Sequence, residues 1–157
     1  MAVTLRPITE NDTALLFRIY ASTRLEELAQ VPWSPQEREN FLVMQFHAQH
    51  NHYQTHYPHA EYSVIMRGTA PIGRLYVERI PREIHIIDIA LLPEFRRQGI
   101  GALLLNALIA EANEDLLPIR IYVERNNPAL RLYERLGFKR IGDSGVYYEL
   151  QRPATRT

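Results

Sequence analysis

The stretch PEFRRQGIGALLLNAL, residues 93–108, sets two arginines beside two glycines and runs straight on into an apolar segment. The chain has seven glycines, and two of them, Gly99 and Gly101, stand where a helix should begin. Glycine within a helix costs about 1 kcal/mol relative to alanine, so these positions call for a use. One use is close backbone approach, in which successive N–H groups at a helix N-terminus converge on an anion. Arg96 and Arg97 would add charge to such a site. The first expectation is a phosphate site at a strand-to-helix turn.

The bulk sequence bounds what that phosphate belongs to. A chain of 157 residues predicts one domain, and a domain of that size buries roughly 70% of the surface of its unfolded chain. Eighteen basic residues balance eighteen acidic ones, which gives no overall field to attract nucleic acid or a membrane surface. The chain has no cysteine, so thiolate metal sites, disulfides and a cysteine nucleophile are excluded together. Neither a signal-peptide pattern nor a run of eighteen apolar residues is visible, and a cytoplasmic protein is expected.

Periodicity orders the rest. VTLRPI reads as a first strand, and Thr9 with Asp12 as a helix start for residues 11–20. Ser34, Pro35 and Glu37 open a second helix. From Glu61 the Val, Ile and Tyr content predicts three adjacent strands, EYSVIMR, PIGRLYVERI and EIHIIDIALL. A helix to about Asn113, the strand IRIYV, a short helix ended by Gly137 and a last strand pair, FKRIGD and VYYEL, follow. The expected order is β-α-α-β-β-β-α-β-α-β-β over residues 1–150, with 151–157 a polar, frayed tail. Such an order specifies an α/β (α+β) fold built on one sheet.

Three phosphate motifs compete. Leu104 stands where a dinucleotide fingerprint needs its third glycine, and no Gly-Lys-Ser/Thr follows as in a P-loop. What remains is R-x-x-G-x-G, formed by Arg96, Gly99 and Gly101. Further along, VERNNPALRLYERLGF places Asn126 seven residues before Tyr133, with Leu136-Gly137-Phe138 after it. Together these two segments closely resemble the GNAT superfamily of acetyl-CoA-dependent N-acyltransferases, over about residues 85–138.

The resemblance implies a mixed, mostly antiparallel sheet of six to seven strands flanked by about four helices. It also implies a direct acetyl transfer from acetyl-CoA, with no metal, to the primary amine of a small molecule or peptide. The backbone of Arg97, Gln98, Gly99, Ile100, Gly101 and Ala102, with Arg96, would hold the pyrophosphate. Family members commonly have glycine at the Arg97 position, so its guanidinium is also matched to a 3′-phosphate or to solvent. Ile89, Ala90 and Leu91 correspond to the segment that pairs with the pantetheine arm, and the Leu91 N–H to the support of the developing oxyanion. Asn126 matches an amide that holds pantetheine, and Tyr133 matches the acid that protonates the departing thiolate. From the residues alone Tyr133 fits packing equally, since Ala129, Leu132 and Leu136 form an apolar face that it would extend.

Two groups on the strand EIHIIDIALL suit the base, on opposite faces because side chains alternate. His85 is ranked first for its ordinary pKa of about 6.5, and Asp88 second. For the acceptor, Glu26, Glu27 and Trp33 would frame a cationic, partly apolar group, and Gln45, Gln49 and His52 would fall with His56 on one side of a helix. Two readings compete with transfer. Five of the six histidines lie between His47 and His59, which suits a metal-binding protein, and a coenzyme A-binding domain without catalysis would keep the same glycine turn. Pairing of two copies into a homodimer is compatible with the sequence.

Overall fold

The structure is a computed structural model and describes residues 2–155. Seven strands form one sheet in the order β1-β2-β3-β4-β5-β7-β6. They are β1 (Val3–Pro7), β2 (Glu61–Arg67), β3 (Ala70–Ile80), β4 (Glu83–Leu91), β5 (Ile119–Glu124), β6 (Lys139–Asp143) and β7 (Tyr147–Arg152). Five α-helices are described: α1 (Thr13–Ser22), α2 (Leu25–Ala29), α3 (Pro35–His56), α4 (Ile100–Glu114) and α5 (Leu130–Arg135). The order agrees with the expectation apart from α2. That helix has only five residues and Arg24 at its N-cap, with no side-chain cap, so the sequence carries no start signal for it.

The chain divides into two compact units, Met1–Arg74 with Ala90–Phe95, and Leu75–Ile89 with Arg96–Thr157. In the first, β1 pairs antiparallel with β2 from Val3↔Arg67 to Pro7↔Ser63. Its core gathers Leu16, Ile19 and Tyr20 of α1, Leu28 of α2, Leu42 and Phe46 of α3, and Leu92. Phe17 meets Phe46 edge-on at 5.6 Å. The entrance to α1 is fixed by Asp12, which accepts from the Thr9 N–H at 2.7 Å and from Arg6 Nη1 and Nη2, each at 2.9 Å. At the start of α3 the Ser34 hydroxyl accepts from the Glu37 N–H and Glu37 Oε1 from the Ser34 N–H, each at 3.1 Å, and Pro35 takes the first turn.

In the second unit, β4 and β5 run parallel, joined through α4, and β5 pairs antiparallel with β7. Helix α4 buries Ile100, Leu104, Leu105, Leu108, Ile109 and Ala112, a stripe of helical period. Strand β5 buries Ile119, Ile121 and Val123 in strict alternation. Gly137, at φ +95°, closes α5.

The tail is shorter than expected. Gln151 and Arg152 belong to β7, opposite Arg120 and Ile119. Arg152 donates to the Leu136 carbonyl at 2.9 Å and to Asn113 Oδ1 at 3.0 Å, partners far away in sequence that no local pattern reveals. Arg156 and Thr157 of the expected tail lie outside the described residues. No described helix is long and apolar enough to cross a membrane.

Candidate functional site

Register between β4 and β5 covers Ile84↔Ile119, His85↔Arg120 and Ile86↔Ile121 and stops there, although β5 stays on β7 as far as Glu124↔Tyr147. The two parallel strands therefore part after Ile86 and Ile121, opening a wedge between Ile87–Ile89 and Tyr122–Glu124. An extended ligand arm needs such a gap to reach strand backbone.

The chain leaves β4 through a 3₁₀ turn, Pro93–Phe95, and enters α4 through the arginine–glycine turn. Arg97 and Gly99 both have left-handed backbone, at φ 62° and 80°. Gly99 is the N-cap of α4 and has no side chain to bond the first-turn N–H groups. A Cβ on Gly99 would meet nothing within 4 Å, and one on Gly101 only Leu132 Cδ2, at 3.9 Å. The space over Gly99 is open and that over Gly101 is bounded by Leu132, at the positive end of α4. Residues 96–99 are exposed, whereas Ile100 is buried and Gly101 and Ala102 half-buried. A pyrophosphate group fits this cradle: two exposed arginines, a helix N-terminus and room over Gly99 that a side chain would fill.

Asn126 is exposed just beyond the end of β5. Neighbouring Asn127 is spent on structure, its Oδ1 accepting from the Ala129 N–H at 2.8 Å. Tyr133 on α5 is only 3% exposed and packs edge-on against Phe138 at 5.5 Å. Burial, and then the negative charge of Asp88, push its hydroxyl pKa up, so it stays protonated across the physiological range. Thus Asp88 and Tyr133, 45 residues apart in sequence, are brought within electrostatic reach.

His85 is 2% exposed, and its pKa falls to about 4, through burial first and the Arg120 charge second. Its ring meets Tyr122 edge-on at 6.1 Å. Arg120 is itself held by Glu83 at 2.8 Å. Neither Tyr122 nor Arg120 stood out in the sequence; their role beside His85 depends on the β4–β5 register.

The expected acceptor residues belong to the first unit. Glu26 is exposed on α2, and Trp33 lies 5.1 Å from Phe41. Gln45, Gln49 and His52 share one side of α3, and the His52 and His56 rings stack at 4.0 Å. Gln49 accepts from Arg74 Nη2 at 2.9 Å. Arg74, 4% exposed within β3, was not singled out by sequence; it also helps to lower the pKa of His50, after burial and ahead of His47. Among the described residues, no three His, Asp or Glu side chains converge to hold a metal ion.

One more residue escaped the sequence reading. Gly73 lies inside β3, where a Cβ would overlap the Ala90 carbonyl. An isolated glycine in a strand pattern is the signal that marks such close approach.

The sequence pattern of the Acetyltransferase (GNAT) family matches residues 22–138, which include the glycine turn, the parted strands and Tyr133. The chain belongs to the GNAT acetyltransferase family. Over 70 residues this GNAT protein is 40% identical to an N-alpha-acetyltransferase of Saccharolobus solfataricus, covering 43% of this chain and 42% of that protein. Over 99 residues it is 30% identical to the N-alpha-acetyltransferase RimI of Mycobacterium tuberculosis, covering 59% of this chain and 61% of that one. The chain thus spans less than two thirds of the length of either of these curated relatives. The PaiA N-acetyltransferase of Thermoplasma acidophilum, crystallised with coenzyme A, shares the fold with a TM-score of 0.71 at 19% identity, over 98% of this chain and 99% of that chain.

Proposed function

We propose that this GNAT protein transfers the acetyl group of acetyl-CoA to a primary amine within a ternary complex, and that the acceptor is the α-amine of a peptide or protein N-terminus. The observation that carries the transfer is the cradle of Gly99 and Gly101 at the head of α4, next in sequence to the wedge where β4 leaves β5. The choice of an α-amine rests on the relatives named N-alpha-acetyltransferase.

In this reading the backbone of residues 97–102 and the Arg96 guanidinium bind the pyrophosphate, and Ile89–Leu91 and Asn126 hold the pantetheine arm. The neutral amine attacks the thioester carbonyl carbon, while the Leu91 N–H supports the charge that develops on the oxygen. As the C–S bond breaks, Tyr133 gives its proton to the sulfur. The proton lost by the amine passes to a base, and we rank Asp88 ahead of His85, in reverse of the sequence ranking, because His85 is buried against Tyr122 and shielded from an incoming amine. The Asp88 carboxylate acts directly on Tyr133. Glu26, Trp33, Gln45, Gln49 and His52 would frame the acceptor. The domain extends to the end of β7, and a cysteine-free chain suits a cytoplasmic setting.

The test is mass spectrometry of peptides with free α-amines, with and without an internal lysine, incubated with acetyl-CoA and the protein. A gain of one acetyl group on the N-terminal residue is the expected product. Acetylation confined to lysine would refute the α-amine acceptor, and hydrolysis of acetyl-CoA without any transfer would refute the reaction.

A further inference from the structure

Strand β3 carries a glycine at a place where no side chain fits. A Cβ on Gly73 would overlap the Ala90 carbonyl oxygen and stand 3.0 Å from Leu91 Cδ2 and 3.1 Å from Leu91 Cα. Gly73 is not among the residues with positive φ, so its conformation does not demand glycine; only the space does. One residue before it, the Ile72 carbonyl accepts from the Leu92 N–H at 2.8 Å. The end of β4 is therefore tied to β3 at Leu92 and presses on β3 through the Ala90 carbonyl, over the missing side chain.

The direction of that carbonyl decides more than packing. The C=O and N–H of a trans peptide point to opposite sides, and the described chain contains no cis peptide. With the Ala90 carbonyl turned onto Gly73, the N–H of the same peptide, that of Leu91, points away from β3. A side chain at position 73 would push the carbonyl off and rotate the whole peptide plane, carrying the Leu91 N–H with it. Oxyanion support depends steeply on aim, because the donor must meet the oxygen where charge develops.

We infer that Gly73 is a positioning residue for acyl transfer, setting the orientation of the Ala90–Leu91 peptide and so the aim of the Leu91 N–H. This rests on the acetyltransferase reading above. Gly73 touches no reacting atom; it acts through the peptide that does.

The experiment compares Gly73→Ala with the unaltered full-length chain, using acetyl-CoA and a peptide that the unaltered chain acetylates. The expected result is a fall in kcat of about 100-fold, the loss associated with one oxyanion donor. The acetyl-CoA dissociation constant, read by calorimetry, rises by less than about tenfold, because the pyrophosphate grip is untouched and only the pantetheine contact at Leu91 is disturbed. Gly142→Ala is the control, adding a methyl to a strand where the nearest atom is the mobile end of Glu149, at 3.0 Å; its kcat stays within about twofold. Unchanged kcat in Gly73→Ala overturns the assignment, as does a loss of acetyl-CoA affinity that accounts for the loss of rate. Absence of a cooperative thermal transition in Gly73→Ala overturns it as well, since Gly73 would then be a requirement of folding rather than of aim. No transfer by the unaltered chain fails the acetyltransferase reading and this assignment with it, whereas transfer that survives the substitution fails the assignment alone.

Discussion

Tyr133 combines two properties that seldom meet: it is nearly inaccessible, and it carries a proton that burial and Asp88 hold in place. Phenylalanine would keep the ring, and with it the edge-on contact with Phe138, and would remove only the hydroxyl. Tyr133→Phe is therefore expected to lower kcat by about 100-fold or more while acetyl-CoA KM and thermal midpoint hardly move, as steady-state kinetics and a melting curve will register. The two base candidates separate in the same assay. His85→Gln should leave kcat within about threefold, whereas Asp88→Asn should lower it about tenfold or more. An acid limb near pH 4 that disappears in His85→Gln would restore histidine as the base. Tyr133 was legible in the sequence through its spacing from Asn126 and the Leu-Gly-Phe that follows. Its coupling to Asp88 was not, because strand and helix meet only in the folded chain.

The head of α4 separates what a helix prefers from what a ligand needs. Alanine at Gly101 meets only Leu132, at ordinary contact distance, and is the better helix former. Gly101→Ala should thus stabilise the ligand-free protein by up to about 1 kcal/mol, yet weaken acetyl-CoA binding by about tenfold as the methyl enters the cradle. Thermal midpoint and calorimetric affinity would move in opposite directions, which a merely structural glycine does not produce. At Gly99, φ is 80°, so Gly99→Ala should cost about 1 kcal/mol of stability as well as affinity. Elements with a strong local signature were readable: Ser34-Pro35-Glu37 opens α3, and the glycines mark the start of α4 and the end of α5. Elements held by distant partners were not. Helix α2 has no cap of its own, the end of β7 depends on Arg152 reaching Leu136 and Asn113, and Gly73 reveals its use only against Ala90.

With eighteen charges of each sign the chain has no net field, so its response to pH comes from a few displaced groups. Arg6 hydrogen bonds hold Asp12 down at about 2, and burial holds His85 down at about 4. Both pKa values lie below those of the unfolded chain, so the unfolded state takes up protons first and each group's contribution is lost as pH falls. The thermal midpoint should accordingly decline in two stages, between about pH 6.5 and 4 through His85, with His50 adding to it, and between about 4 and 2 through Asp12. His85→Leu should flatten the first stage and Asp12→Asn the second; the latter costs about 1–2 kcal/mol at neutral pH, a figure reduced for the partial exposure of Arg6. Ligand linkage acts on the same protein from the other side, since any acetyl-CoA held by the folded chain raises its midpoint. The measurement to make first is a calorimetric titration of the unaltered protein with acetyl-CoA. Saturable binding at one site per chain is expected; absence of binding at millimolar acetyl-CoA would contradict acetyl transfer and leave the glycine turn as a turn.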